Sequence, residues 1–299
     1  MNPANRGFWF AIGAYASWGV FPLYWKLLRD VPAVEVISHR ILWSFLMLVG
    51  YLAVTRQARV FRAALATPDV LRTYAVAAML IAVNWLGFIW AVNAGFIVET
   101  SLGYFINPLL SVLLGVFVIG ESLRPGQWFA VALAASGVVH LTISHGELPW
   151  ISLLLATSFA FYALVKKRAP LGAVHGLTLE TGLLVVPAMA FLAWNEHTGH
   201  GAFAHADTTT TALLLGAGLV TTLPLLMFAS AAQSIPLVWI GIFQYIAPTL
   251  QLAIAVFVYD EPFARDRLIG FSFVWAALVV FAVDGIVAHR TQAVTPPPE

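Results

Sequence analysis

The chain has 299 residues, of which 61% are hydrophobic and only 10% are charged, with a formal net charge of +1. A soluble domain has roughly 45–50% apolar and about 25% charged residues. This composition therefore excludes soluble enzymes and indicates an integral membrane protein. The near-neutral charge provides no basic surface for nucleic acid. The absence of cysteine excludes disulfides, thiolate metal sites and cysteine nucleophiles.

The first apolar run covers residues 7–28. It is longer than the core of a typical signal peptide, and no small-residue cleavage site precedes a polar mature domain. We therefore expect the first helix to remain in the protein as a membrane span.

Ten apolar runs are each long enough to cross a bilayer, because a helical span needs about 20 mostly apolar residues. The runs are continuous and rich in Leu, Ala and Gly, which favours helices over the alternating strands of a membrane β-barrel. The sequence therefore predicts an all-α integral membrane protein with ten transmembrane helices. The predicted spans cover residues 7–28, 35–54, 70–92, 99–119, 126–144, 149–166, 174–194, 211–232, 237–259 and 268–288.

Charges that flank the spans predict the orientation, because Lys and Arg are enriched in short cytoplasmic loops. If the N-terminus is cytoplasmic, most Lys and Arg residues fall in cytoplasmic segments, among them Arg56, Arg59, Arg62 and the run at 166–168. We therefore place both termini in the cytoplasm. The segment 291–299, which contains three consecutive prolines, is predicted to be a disordered cytoplasmic tail.

The two halves of the chain align without a gap when one is shifted by 140 residues. Each half has five spans, and because this number is odd, the second half would enter the membrane from the opposite side. The sequence therefore predicts two inverted five-helix repeats, residues 1–146 and 147–290, as in many secondary transporters. A duplication that merely built a stable bundle is the alternative. The aligned pairs include Lys26 with Lys166, Phe88 with Phe228, Asn93 with Gln233, Phe105 with Tyr245, Pro108 with Pro248, and Glu121 with Glu261.

Charged residues inside spans are costly and mark functional positions unless a partner explains them. The second span carries Glu35, His39 and Arg40 near its external end, with Glu35 and His39 one turn apart on one face. Arg40 aligns with Glu180, but inversion would place these two at different depths, so Glu99 is the expected partner of Arg40. We assign coupling or gating roles to these five residues, with the Glu35–His39 pair and Glu180 as candidates for proton coupling.

Structural roles are the alternative for the same charges. Arg40 could be a structural clamp, or its guanidinium could extend towards the membrane interface. Glu180 could neutralise Lys166 or Lys167 at the end of the sixth span.

The fourth and ninth spans contain matching segments with an internal proline, GYFINP at 103–108 and FQYIAP at 243–248. Proline removes a backbone donor from a helix, and interruptions at equivalent places in two halves point to a transport site. We therefore predict helix breaks at Pro108 and Pro248. Core packing, with prolines that only bend the helices, is the alternative. The predicted substrate-binding residues are Asn84, Trp85, Tyr104, Asn107, Gln244 and Tyr245.

Six segments form a recognisable set: HRILWS at 39–44, NWLGFIWAVN at 84–93, ETSLGYFINP at 99–108, FAFY at 159–162, TTLP at 221–224 and FQYIAP at 243–248. Together they resemble the RarD family, an EamA-type branch of the drug/metabolite transporter superfamily. The resemblance implies a ten-helix carrier with two EamA repeats in the bacterial inner membrane. It also implies a link to chloramphenicol sensitivity.

These features predict a secondary transporter that exports a small metabolite or drug-like solute by alternating access. No Walker A motif is present, so an ion gradient or the substrate itself would supply the driving force. We expect no enzymatic activity, cofactor or metal. The expected partners are the lipid bilayer and a small-molecule substrate, and none is a nucleic acid. A polytopic membrane enzyme and a non-transporting scaffold subunit are the alternatives. The sequence carries no catalytic motif for the first, and a scaffold has little need of polar residues within its spans.

Overall fold

The computed structural model describes residues 3–93, 97–145, 150–258 and 265–294, and all regular structure in these ranges is helical. The all-α prediction is confirmed for these residues. The helix Ile97–Leu114 is followed by a π-helical turn, Gly115–Ile119. The helices are α1 (Pro3–Lys26), α2 (Ala33–Val54), α3 (Ala58–Leu65), α4 (Pro68–Asn93), α5 (Ile97–Leu114), α6 (Pro125–His145), α7 (Trp150–Arg168), α8 (Ala173–His197), α9 (Thr208–Ser234), α10 (Leu237–Gln244), α11 (Ile246–Val258) and α12 (Arg265–Val294).

Seven helices in the described part of the chain are long and apolar enough to cross a membrane. A shorter apolar helical segment, Gly103–Ile119, covers the second part of α5 and the π-helical turn that follows it. The seven are Ala33–Val54, Pro68–Phe88, Trp150–Arg168, Ala173–His197, Thr208–Ser234, Leu237–Val258 and Leu268–Gly285.

Large apolar side chains cover much of the outer surface of the bundle. Val54 is 85% exposed, Phe117 74%, Val186 70% and Phe257 82%. Water-facing surfaces seldom carry large apolar patches, whereas helices that span a bilayer present apolar side chains to the lipid. The exposed surface is therefore suited to hydrocarbon.

Helix α2 lies at the centre of one group, because it packs against α8 and α9, while α1 packs against α9 and α11. Gly218 on α9 permits the close approach of α2. A Cβ atom at this position would lie 2.4 Å from the Cβ of Trp43, and small residues are the usual device for close helix packing in membranes. The hydroxyl of Ser44 donates to the Gly218 carbonyl at 3.1 Å. This contact fixes the register of α2 against α9.

A second group is built around α5 and α7, which pack against each other, with α4 against α7 and α10 against α5. Helices α6 and α12 form a further pair, joined at one end by Arg124 and Asp284, with a 2.6 Å separation of guanidinium and carboxylate atoms. At the start of α2, Leu28 and Val31 of the α1–α2 connection pack in one apolar cluster with Ala202 and Phe203 of the α8–α9 connection.

The structure differs from the predicted elements in three places. The short helix α3 lies in what was expected to be a loop. The predicted span 237–259 is divided at Tyr245 into α10 and α11. Helix α12 continues to Val294, so the first part of the segment 291–299 is helical, and residues 295–299 lie outside the described ranges.

Candidate functional site

Arg40 lies about two turns inside α2 and is surrounded by side chains from three other helices. Its Nε donates to the hydroxyl of Thr221 on α9 at 2.8 Å. Its Cζ lies over the indole ring of Trp25 on α1, 4.7 Å from the ring centroid, and over that of Trp85 on α4 at 4.8 Å. Four helices thus contribute to one cationic position within the bundle.

These ring contacts are strong enough to hold the charge. An arginine at the centre of a spanning helix costs about 3 kcal/mol on the insertion scale. A cation–π contact with tryptophan contributes roughly 0.5–2 kcal/mol. Two such contacts and a hydrogen bond therefore offset a cost of this size. No ion pair among the described residues involves Arg40. The side chain of Glu99, its predicted partner, lies outside the described part of the structure.

Tyr104 on α5 joins this group through a ring on α4. Its side chain is 37% exposed, although it lies about two turns inside the helix. The ring contacts Phe88 on α4, with 6.0 Å between centroids. We call Arg40, Trp25, Trp85, Thr221 and Tyr104 the arginine cluster. Three of its members, Arg40, Trp85 and Tyr104, were predicted as site residues from the sequence.

Asn107 and Gln244 approach each other across the contact between α5 and α10. Ser111 lies between them, with its hydroxyl 3.4 Å from Asn107 Oδ1 and 3.5 Å from Gln244 Oε1. All three side chains are buried. The two amides predicted to bind substrate therefore belong to a buried polar contact between helices.

Two other predicted binding residues have structural partners. The amide of Asn84 donates to the Leu155 carbonyl at 2.9 Å and to the Ser158 hydroxyl at 3.0 Å, which joins α4 to α7. Tyr245 is 1% exposed, and its hydroxyl donates to the Phe105 carbonyl at 3.4 Å. Both side chains therefore join neighbouring helices.

The two prolines have different effects on their helices. Helix α5 continues through Pro108, so this residue does not end a helix. Helices α10 and α11 are separated at Tyr245, three residues before Pro248. A proline lacks the N–H that would bond to the carbonyl four residues earlier. At Pro248 that carbonyl belongs to Gln244, the last residue of α10.

Glu180 on α8 forms a buried ion pair with Lys166 at the end of α7. The Lys166 ammonium lies 2.6 Å from Glu180 Oε1, and the Tyr162 hydroxyl donates to Oε2 at 2.9 Å. Lys166 is 0% and Glu180 1% exposed. Both carboxylate oxygens are thus occupied. The sequence left Lys166 and Lys167 as alternative partners, and the structure places Lys166 in this position.

Glu35 and His39 line a cleft of about 390 Å³ between the start of α2 and the α8–α9 connection. We call it the external cleft, because the predicted orientation would place this end outside the cell. Glu35 accepts hydrogen bonds from the Asn195 amide at 2.9 Å and from the Ala202 backbone N–H at 2.7 Å. The indole of Trp43 donates to His39 Nδ1 at 3.2 Å. His39 Nε2 lies 3.9 Å from Glu35 Oε1.

A second cleft, of about 380 Å³, lies at the opposite end of α1, α8 and α9. Its lining includes Arg6, Phe10, Ser230 and Gln233. The predicted orientation would make this end cytoplasmic. The bundle therefore has a cleft at each end, with the arginine cluster on helices that connect them.

Comparison with known proteins places this architecture in a family. A model of the EamA-like transporter family matches residues 5–143. An uncharacterized transporter of Vibrio cholerae is 45% identical over 285 residues, covering 95% of this chain and 94% of the relative. Protein RarD of Streptomyces exfoliatus is 42% identical over 293 residues, covering 98% and 93% respectively. The chain belongs to the EamA-like transporter family.

A protein of known crystal structure has the same fold. It superposes with a TM-score of 0.67 at 15% sequence identity and covers 93% of this chain and 97% of its own. Similarity at this identity concerns the fold alone. Family membership and the apolar helices together make this chain a multi-pass membrane protein with a transporter fold.

Sequence reasoning missed Trp25, Thr221 and Glu121. Glu121 follows α5 and accepts the backbone N–H groups of Leu237 and Val238 at 2.6 and 2.8 Å, so it caps the start of α10. An unpaired helix N-terminus attracts a carboxylate. The proline at the start of the ninth span marks that terminus in the sequence, but no local pattern identifies a cap supplied from the distant α5–α6 connection.

Proposed function

We propose that the protein is a secondary transporter that exports a small metabolite or drug-like solute across the bacterial inner membrane by alternating access. The observation that carries this proposal is Arg40, a cation within a spanning helix that is surrounded by side chains of α1, α4 and α9. Ionisable residues inside membrane bundles mark substrate or ion pathways. Relatives named as transporters support the same role.

The proposed architecture has ten spans in two inverted repeats, residues 1–146 and 147–290, with both termini in the cytoplasm. Helices α10 and α11 together would form the ninth span, and α3 would lie at the cytoplasmic surface. The sequence correspondence at 140 residues and the clefts at both ends of the bundle support this arrangement. In such transporters, two similar halves exchange conformations around a central site.

Proton coupling is assigned to Glu35 and His39. Glu180 is less suited to this role because Lys166 and Tyr162 occupy both of its oxygens. Glu35 and His39 line the external cleft together with a second titratable pair, Glu196 and His205, whose side chains are 2.7 Å apart. A histidine beside a carboxylate can exchange a proton near neutral pH.

Orientation and alternating access are tested by single cysteines, since the chain has none of its own. In sealed right-side-out vesicles, the thiol of an Arg59→Cys variant should react only after permeabilisation. Leu42→Cys in the external cleft and Ser230→Cys in the opposite cleft should change their labelling rates in opposite directions when a transported solute is added. External labelling at position 59, or parallel changes at the two clefts, would contradict the proposal.

Transport itself is tested by counterflow in proteoliposomes preloaded with a metabolite library, with protein-free liposomes as the control. Net exchange of at least one solute is the expected result. Chemical conversion of a solute without transport would instead support the membrane-enzyme alternative. Proton uptake that accompanies transport should be lost in Glu35→Gln, and unaltered proton coupling in this variant would remove Glu35 from the pathway.

A further inference from the structure

We infer that the arginine cluster binds the carboxylate group of a small, flat organic monoanion. This inference rests on the proposed function and names the chemical class of its substrate. It depends on three features of the cluster: an edge of the Arg40 guanidinium that no described residue uses, a charge that no described carboxylate compensates, and the aromatic surroundings.

The first feature is the geometry of Arg40. A guanidinium has five N–H donors, all in its plane. The rings of Trp25 and Trp85 lie over the central carbon, and Nε is used by Thr221. The remaining donors, on the two Nη atoms, form the edge that binds a carboxylate through two parallel hydrogen bonds. No hydrogen bond among the described residues uses that edge.

The second feature is charge. Lys166, which is fully buried at the end of α7, is neutralised by Glu180. Arg40 is partly exposed and has no carboxylate partner in the described part of the chain. One univalent cation is matched by one univalent anion. A dianion such as a phosphate monoester would bring a second, uncompensated charge into the bundle, and this is unfavourable at low dielectric constant.

The third feature is the set of rings beside Arg40. Trp25 and Trp85 contact the guanidinium, and the exposed Tyr104 ring contacts Phe88. Aromatic walls with a few polar groups are typical of sites for small organic ligands. Tyr104 also offers a hydroxyl that can donate to an oxyanion. We therefore expect the body of the ligand to be flat and apolar, with the carboxylate directed at Arg40.

Three isosteric probes test the charge requirement on the unmodified chain: benzoate, benzamide and benzamidinium, which carry charges of −1, 0 and +1. The full chain in detergent is equilibrated by dialysis with radiolabelled benzoate, and empty micelles give the background. Benzoate should bind saturably. Benzamide should compete roughly 10- to 100-fold more weakly, because hydrogen bonds between charged groups are stronger than those to a neutral amide. Benzamidinium should not compete.

Variants then locate the site. Arg40→Gln should abolish saturable benzoate binding, and Arg40→Lys should weaken it because a lysine lacks the planar fork. Arg72→Gln, which alters an exposed arginine beside Asp69, is the matched control and should bind as the parent chain does. If the Arg40 variants fail to fold, Trp85→Phe retains the charge and should weaken binding while the preference for benzoate over benzamide persists.

Several outcomes overturn the inference: benzamide that competes as well as benzoate, no saturable benzoate binding, or full binding in a folded Arg40→Gln variant. These outcomes differ from failure of the proposed function. Counterflow of neutral or cationic solutes without any effect of benzoate would support the transport function and contradict the anion site. Benzoate binding without exchange of any solute would support the anion site and contradict the transport function.

Discussion

Arg40 and Glu180 lie at equivalent positions of the two sequence halves, but their surroundings differ. Each lies about two turns inside its helix, α2 or α8. Glu180 is 1% exposed and holds Lys166 and the Tyr162 hydroxyl on its two oxygens. Arg40 is partly exposed and is held by two indole rings and the Thr221 hydroxyl. Among the described residues, Glu180 has a fixed counter-ion, whereas the partners of Arg40 are neutral.

The difference separates a structural charge from a charge suited to binding. An ion pair with both partners buried is rigid, because the removal of either partner leaves an uncompensated charge. Ring contacts stabilise a cation without using its hydrogen-bond donors at the edge. Duplication followed by divergence of the two positions would therefore yield one permanent clamp, between α7 and α8, and one site that exchanges its ligand.

The largest expected effect is that of Lys166→Met. Glu180 would remain as an unpaired carboxylate among buried side chains, and the loss of one partner from a buried pair costs about 3–5 kcal/mol. We expect a decrease of this size in the free energy of unfolding, measured by titration with SDS in mixed micelles.

The double variant Lys166→Met with Glu180→Gln provides the internal control and should recover most of the lost stability. Arg72→Met on the exposed surface should change the free energy of unfolding by less than about 0.5 kcal/mol. A Lys166→Met chain as stable as the Arg72 variant would show that the pair is not a clamp, and the contrast with Arg40 would disappear.

Tyr162→Phe should have the next largest effect on stability. The hydroxyl donates to Glu180, and a hydrogen bond to a charged group contributes about 1.5–3 kcal/mol. Phenylalanine retains the ring that stacks on Phe228 at 5.9 Å, so the substitution isolates the hydroxyl. The same unfolding titration measures it. Tyr51→Phe, at an exposed tyrosine, is the control and should be neutral.

The sequence predicted the class of fold because the bilayer sets the length and polarity of each span. It also identified the break beside Pro248, since a missing N–H has a local consequence. Pro108 has the same local chemistry but lies in a continuous helix. Contacts between α5 and other helices, such as that of Ser111 with Gln244 on α10, are properties of packing that a single helix sequence does not encode.

The arginine cluster was only partly predictable for the same reason. Arg40 was identified because an ionised residue is conspicuous in an apolar span. Trp25 and Thr221 resemble many interfacial or core residues in the sequence. Their role depends on α1 and α9 both lying beside α2, and this order in space follows from close contacts such as that at Gly218. The sequence likewise left two lysines as partners for Glu180.

Arg40→Gln should have a small effect on stability, in contrast to Lys166→Met. Two ring contacts of roughly 0.5–2 kcal/mol each are lost, but the cost of a charge in the membrane, about 3 kcal/mol, is also removed. We expect the free energy of unfolding to stay within about 1 kcal/mol of the parent value. Destabilisation as large as that of Lys166→Met would make Arg40 a structural clamp, whatever its effect on benzoate binding.

Thr221→Val sharpens the comparison with the smallest change. Valine keeps the shape of threonine but cannot accept the Nε–H of Arg40, so the guanidinium retains its charge and loses the bond that orients its fork. Stability should fall by less than about 1 kcal/mol, because one hydrogen bond contributes a net amount of this size and both ring contacts of Arg40 remain. Benzoate affinity should fall roughly two- to tenfold, as one lost hydrogen bond predicts.

Thr221→Ser distinguishes positioning from packing, since serine restores the hydroxyl and removes the methyl group. If Thr221 positions Arg40, the serine variant should recover benzoate affinity while the preference for benzoate over benzamide is retained throughout. If Thr221 only fills space, valine should bind benzoate normally and serine should be the weaker variant. Equal benzoate affinities in all three chains would show that Thr221 does not orient the Arg40 guanidinium. The two indole rings alone would then distinguish the surroundings of Arg40 from the fixed ion pair at Glu180.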